Sequence, residues 1–161
     1  MKPISNVFYL VAPALIERVR QEMIEAGAHP SRGPRSKDWL VLSGPNRTCR
    51  FHLQAVRDDT AARLREHYFS FVVVDARCAP GEQAEQQVSL ALRFVEQIHY
   101  AADPDLRYPL SRIIVVLDAD HRLADQAFAL GRQRIGGFVT DPLSGSLFAK
   151  MDALRDANPG K

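Results

Sequence analysis

Two stretches of this chain are wholly apolar for the length of a β-strand, and each then runs into an aspartate. Residues 71–75 read FVVVD, and residues 113–118 read IIVVLD. A strand with one face in solvent alternates apolar and polar residues, whereas a parallel strand covered on both faces is apolar throughout. The two stretches therefore predict a parallel sheet between two layers of helices, which restricts the chain to an α/β fold.

The rest of the chain alternates in the same way between strand and helix patterns. Residues 6–12 form a short apolar run, and Pro13 then begins an amphipathic helix that Gly27 ends. Four further helices and one short strand follow: helices at 58–68, 82–102, 121–136 and 143–157, and a strand at 137–140. This order predicts a doubly wound, mostly parallel sheet of five strands with helices on both faces.

Residues 38–57 are predicted to form a β-hairpin inserted into this sheet. Two strand patterns, Trp39–Leu42 and Thr48–Val56, flank the turn sequence SGPN. The segment is rich in arginine, so Arg47 and Arg50 are candidate contacts for a protein partner or for phosphate groups. The alternative is a solvated hairpin whose charges prevent edge-to-edge aggregation. Both interpretations place the two arginines at the surface.

Composition predicts one cytoplasmic domain. The chain has 161 residues, within the ~100–200 usual for one domain, so residues 1–155 are predicted to form it and 156–161 to begin a linker. The net charge of +2 gives no strong field that would favour nucleic acid. Cys49 and Cys78 form no CxxC motif, which favours a reducing compartment. No apolar stretch reaches the ~20 residues of a membrane span, so no membrane partner is expected.

The predicted functional edge of the sheet carries three carboxylates. Doubly wound folds place their sites at the carboxyl ends of the parallel strands, where Asp75, Asp118 and Asp141 are expected. Grouped carboxylates can share protons or bind a cation, but aspartates at strand ends also cap the helices that follow. The histidines lack metal-ligand spacing and there is no glycine-rich phosphate loop, so no metal or cofactor is predicted.

The order of these segments resembles the receiver domains of response regulators over roughly residues 5–155. Residues 60–77, TAARLREHYFSFVVVDAR, are similar to the helix and strand that deliver the phospho-accepting aspartate of that family. Residues 112–120, RIIVVLDAD, are similar to its fourth strand, and residues 129–142, ALGRQRIGGFVTDP, to its lysine-proline segment. The resemblance implies a flavodoxin-like, receiver-like sheet.

The resemblance also implies a pocket that has lost most of its chemistry. Asp75 matches the phospho-acceptor, but Asp118 stands where the family has serine or threonine, and Asp141 where it has lysine. Ala12 and Pro13 stand where the family has two acidic residues that hold a metal. Phosphoryl transfer needs a cation to neutralise the phosphoryl oxygens. The expectation is therefore a degenerate pocket that is not phosphorylated.

The sequence thus predicts a non-enzymatic pseudo-receiver that acts in signal transduction by binding proteins, as part of a larger regulator. The resemblance implies a partner surface on the fourth and last helices, where Phe128 and Phe148 are candidate anchors, and a homodimer is one candidate assembly. Two alternatives stay open. One is an atypical receiver phosphorylated on Asp75, and the other is a small-ligand or nucleotide-binding domain.

Overall fold

The computed structural model describes residues 3–30, 39–55, 69–75, 77, 112–116, 137–139 and 147–157. Several predicted features lie outside these residues: the helices at 58–68, 82–102 and 121–136, and the side chains of Asp118, Phe128 and Asp141. In the described part, seven strands form one mixed sheet, accompanied by two α-helices and a short 3-10 helix. The chain therefore belongs to the α/β class.

The seven strands of the described part share one sheet. They are β1 (Ile4–Val11), β2 (His29–Pro30), β3 (Trp39–Ser43), β4 (Thr48–Ala55), β5 (Phe71–Asp75), β6 (Ile113–Val116) and β7 (Gly137–Val139). Their order across the sheet is β2-β3-β4-β1-β5-β6-β7. Neighbours from β4 to β7 pair in parallel, whereas β3 is antiparallel to β4 and β2 is antiparallel to β3. The parallel pairing expected of the two apolar runs is confirmed.

The first helix begins and ends as the sequence predicts. A 3-10 turn at Pro13–Leu15 leads into α1 (Ile16–Glu25), and Gly27 follows with φ of 107°. The N–H of Ala28 donates to the carbonyl of Met23, and the N–H of Gly27 donates to that of Ile24. This pair of bonds is the Schellman motif, which needs a left-handed residue that glycine supplies without strain.

One face of the sheet packs against both α-helices. Val19 and Met23 of α1, and Leu147, Phe148 and Met151 of α2 (Leu147–Ala157), join one buried core with the strands. The strand residues in this core alternate along each strand and include Val7, Tyr9, Val11, Phe51, Val73 and Ile114. This apolar contact holds α1 and α2 on the same side of the sheet. Among the described residues, no helix has the length and apolar character needed to cross a membrane.

The opposite face of the sheet is buried as well. Phe8, Leu10, Val72, Val74, Ile113 and Val115 point to this side and are almost fully inaccessible to solvent. An aromatic cluster extends it toward β3, where Trp39 lies 5.0 Å from His52 and 6.1 Å from Phe69, measured between ring centroids. Burial of both faces explains why β1, β5 and β6 are continuous apolar runs.

Candidate functional site at the carboxyl edge of the sheet

Asp75 is the last residue of β5 and lies at the carboxyl edge of the parallel strands. It pairs with Val116, the last residue of β6. Because side chains alternate along a strand, Asp75 points to the same face as Val73, which is the face that α1 covers. Its side chain is 0% exposed. A carboxylate that is so fully removed from water needs partners that replace its hydration.

Both oxygens of the Asp75 carboxylate accept hydrogen bonds. Oδ1 accepts from the backbone N–H of Arg77 at 3.0 Å and from its Nε at 3.1 Å. Oδ2 accepts from an Arg77 terminal guanidinium nitrogen at 2.9 Å and from the Tyr9 hydroxyl at 2.6 Å. The Arg77 guanidinium thus binds both oxygens, a fork geometry that is among the strongest ion pairs in proteins.

Tyr9 contributes a neutral hydrogen-bond donor to this cluster. Its side chain is buried on β1, and its ring meets that of Phe51 edge-on. Burial raises the pKa of the Tyr9 hydroxyl well above its ordinary value, and the negative charge of Asp75 raises it further. The hydroxyl therefore stays protonated and continues to donate to Asp75 over the whole range in which most proteins are folded.

Arg77 connects the buried carboxylate to the surface of α1. Its second terminal nitrogen lies 3.1 Å from Glu22 Oε2, and the other Glu22 oxygen accepts from Arg18 Nε at 2.9 Å. Burial on its own would lower the pKa of Arg77, but the hydrogen bonds and charge of Asp75, aided by Glu22, raise it above its ordinary value. Negative and positive charges therefore alternate from the core to solvent, in the order Asp75, Arg77, Glu22 and Arg18.

We call Tyr9, Glu22, Asp75 and Arg77 the carboxyl-edge cluster. Its two acids are balanced by Arg77 within the cluster and by Arg18 beside Glu22, and each oxygen of Asp75 already accepts at least two hydrogen bonds. Among the described residues, no group of three histidine, cysteine or acidic side chains is placed to hold a metal ion. The arrangement fixes the end of β5 to β1 through Tyr9 and to α1 through Glu22.

Ala12 and Pro13 directly follow β1, the neighbour of β5. Ala12 accepts the first bond of the 3-10 turn from the Leu15 N–H, and Pro13 occupies its first position. Neither side chain carries an acid that could complete a cation site beside Asp75. These two positions begin the helix, which is a structural role.

The structure corrects the expectation that Arg47 is exposed. Arg47 lies in the turn between β3 and β4 and is only 3% exposed. Its Nε binds Asp152 Oδ1 on α2 at 2.7 Å, one terminal nitrogen donates to Ser5 Oγ at 3.2 Å, and the guanidinium lies 5.6 Å from the ring centroid of Phe71. The residue is therefore part of the tertiary structure and is not available as a partner contact.

Two other candidate partner contacts are also less exposed than expected. Phe148 was predicted to be a surface anchor but is 6% exposed, because its ring covers Gly44 and joins the core beneath α2. Arg50 is half-buried, and its guanidinium lies 5.1 Å from the centroid of the Trp39 ring. Of the described candidates for a partner surface, only Arg50 keeps substantial access to solvent.

Sequence reasoning selected Asp75 but missed its partners. The spacing Asp-x-Arg after an apolar strand was a usable signal, since a residue two positions on can reach back across a turn. Tyr9 gave no comparable signal, because a tyrosine inside the run NVFYLVA is indistinguishable from an ordinary core aromatic. Glu22 and Arg18 flank the apolar stripe of the helix and, at i,i+4 spacing, resemble a solvated surface pair.

Comparison with known proteins adds no identification. No protein-family model matches the chain, and no curated protein matches its sequence.

Proposed function

We propose that this chain is a receiver-like signalling domain that has no enzymatic activity and acts by binding other proteins. In this proposal the carboxyl edge keeps the position of a phospho-acceptor pocket but not its function. The buried, fully hydrogen-bonded state of Asp75 is the single observation that carries the proposal.

The order of the parallel strands supports the flavodoxin-like part of the proposal. Numbered along the chain, the five parallel strands β1, β4, β5, β6 and β7 have the spatial order 2-1-3-4-5, which is that of flavodoxin-like doubly wound sheets. The first and last helices share one face in such a winding, as α1 and α2 do here. In this framework, β2 and β3 are an antiparallel extension beyond the second parallel strand.

The contacts of Asp75 support the absence of phosphorylation. A phosphoryl donor would have to reach a carboxylate that is wholly buried, and an oxygen would have to give up its bonds from Arg77 or Tyr9. The phosphoryl group would carry roughly −1.5 to −2 charges in place of the single charge of the carboxylate, so the negative charge beside Glu22 would increase. Arg77 already neutralises Asp75, so this added charge would lack a counter-ion in the carboxyl-edge cluster.

Phosphorylation and cation binding can be tested directly. The chain is incubated with acetyl phosphate and Mg²⁺, or with beryllofluoride and Mg²⁺, and followed by intact mass and by chemical-shift mapping. We expect no mass increase and no shifts centred on Asp75. The matched control is Arg77→Gln, which keeps a polar side chain but removes the positive charge that pairs with the carboxylate.

An adduct or Mg²⁺-dependent shifts that vanish in Asp75→Asn would contradict the proposal and support an active phospho-acceptor instead. Calorimetric titration with ATP and with inorganic phosphate separates the small-ligand alternative. Saturable binding that Arg50→Gln weakens would favour that alternative over a protein-binding module.

A further inference from the structure

Among the described residues, a short apolar row and one polar anchor hold the helix α2 on the sheet. Leu147, Phe148 and Met151 are buried against the strands, and Leu154 is only partly buried. The polar anchor is Asp152, whose side chain is 25% exposed. By contrast, the strands beneath α2 are held by main-chain hydrogen bonds along β4, β1 and β5.

Two consecutive residues of the β3–β4 turn hold both oxygens of Asp152. Arg47 Nε donates to Oδ1 at 2.7 Å, and Asn46 Nδ2 donates to Oδ2 at 3.0 Å. The turn is closed by a bond of 2.8 Å from the Gly44 N–H to the Arg47 carbonyl. We call Asn46, Arg47 and Asp152 the clasp. It lies at the amino ends of the strands, because Thr48 pairs with Ile4 at the start of β1.

The clasp differs in one respect from an ordinary buried ion pair. A buried charge that loses its partner is usually left without water, and the cost is large. Arg47 is shielded partly by the helix that carries its partner, so a departing α2 would admit water to the guanidinium and to Asp152 together. The clasp can therefore form only while α2 is docked, and it adds to the apolar row in holding the helix closed.

We infer that α2 is a lid that opens as a unit from the folded sheet, and that the clasp of Asn46, Arg47 and Asp152 is the latch that keeps it closed. Opening uncovers an apolar surface beneath α2 that includes Cys49, which lies against Met151. Local openings of this kind involve elements with few buried contacts and precede global unfolding. The inference does not depend on the proposed function.

Cys49 is a built-in reporter of the lid. Its thiol is buried on β4 and lies 3.7 Å from the sulfur of Met151 on α2. Burial raises the pKa of the Cys49 thiol to about 12, so little thiolate is present near neutral pH even apart from its inaccessibility. Alkylation of Cys49 in the native protein therefore measures how often the lid is open.

The experiment follows alkylation of Cys49 by iodoacetamide in a Cys78→Ser background, at urea concentrations below the unfolding transition. Asp152→Ala leaves Arg47 buried and unpaired only while the lid is closed, so it should raise the alkylation rate roughly tenfold or more. The rate should depend weakly on urea, because a local opening exposes less surface than unfolding does. Arg18→Met, which removes an exposed ion pair on α1, should leave the rate within about twofold.

Alkylation that rises with urea as steeply as global unfolding would overturn the inference, as would equal rates in Asp152→Ala and the parent. If Asp152→Ala does not fold, Asp152→Asn gives the same comparison. Asparagine keeps an acceptor for Arg47 but removes the charge, so the rate should rise by a smaller factor with the same weak urea dependence.

Discussion

The two ends of the parallel strands each contain a buried ion pair, but the pairs are built in opposite ways. At the carboxyl edge the buried group is an acid, Asp75, and its partner Arg77 is two residues away in sequence. At the amino edge the buried group is a base, Arg47, and its partner Asp152 is 105 residues away. The first pair can form as soon as β5 exists, whereas the second requires α2 to be docked.

The two ion pairs therefore have different roles, one within a local segment and one that depends on the tertiary structure. The Asp75–Arg77 pair orients the segment that leaves β5 and ties it to β1 through Tyr9 and to α1 through Glu22. The Arg47–Asp152 pair reports on whether the last helix is in place. The same chemistry therefore fixes a strand end at one edge and secures a helix at the other.

The largest expected effect is at the carboxyl edge. Asp75→Ala leaves the Arg77 guanidinium without its main partner and removes the acceptor of the buried Tyr9 hydroxyl. Breaking a buried pair on one side usually costs about 3–5 kcal/mol, so urea denaturation should show a loss of this size in the free energy of unfolding. Asp75→Ala combined with Arg77→Met should recover part of the loss. A double variant no more stable than the single one would mean that the pair itself contributes little.

A smaller effect is expected at the amino edge. Asp152→Ala also leaves a buried arginine unpaired, but Asp152 is partly exposed and Arg47 keeps its bond to Ser5 Oγ. The free energy of unfolding should fall by about 2–3 kcal/mol. A loss larger than that of Asp75→Ala would reverse the ranking of the two edges.

Gly44→Ala tests the packing beside the clasp without changing a charge. A Cβ atom placed on Gly44 would lie 2.4 Å from the ring of Phe148, too close for any side chain. Overpacking of this kind costs about 1–3 kcal/mol, and here α2 can shift outward, so about 1–2 kcal/mol is expected in thermal or urea unfolding. Adding Phe148→Leu to Gly44→Ala should relieve the clash and restore part of the stability. If Gly44→Ala is neutral, the helix is seated less tightly than its contacts indicate.

The smallest expected effect is a loss of stability at high pH, which begins at a different pH at each edge. Cys49 is near the clasp, and its pKa rises from 9.0 in the unfolded chain to about 12 in the folded one. Since the unfolded state loses its proton first, stability is complete below pH 9 and falls as the pH rises toward 12. The expected loss at pH 10 is about 1 kcal/mol.

Tyr9 at the carboxyl edge follows the same rule, but its loss begins only above about pH 10, the ordinary value for tyrosine. Urea unfolding between pH 8 and 11 should therefore show the first decline abolished in Cys49→Ala and retained in Tyr9→Phe. A first decline that persists in Cys49→Ala and disappears in Tyr9→Phe would mean that Cys49 is more accessible than its burial indicates.

Most of the fold was predictable in the segments whose local sequence pattern indicates which residues are buried. The apolar runs of β1, β5 and β6 predicted parallel strands, and the spacing of Val19 and Met23 with the terminal Gly27 predicted α1. β2 gave no such signal, because His29 and Pro30 form a strand only through pairing with Val41 and Leu40. A two-residue strand on a sheet edge depends on its neighbour rather than on its own sequence.

The candidate site was predictable only in part. Asp75 was identified because an acid after an apolar strand is conspicuous. The burial of Arg47 was not predictable, since nothing near an arginine in a turn sequence indicates that a carboxylate more than a hundred residues away will cover it. Charged residues are usually exposed, and only the tertiary structure shows the exceptions.

The reach of Arg77 back to Asp75 has a consequence for how this sequence can change over evolutionary time. Because each residue neutralises the other in a buried place, a chain that loses one is left with a stranded charge, and a chain that loses both can fill the space with apolar side chains. The two positions should therefore vary together among divergent descendants. Paired replacement of Asp75 and Arg77, with Tyr9 changing to phenylalanine in the same lineages, would show that this ion pair has constrained how the sequence changes.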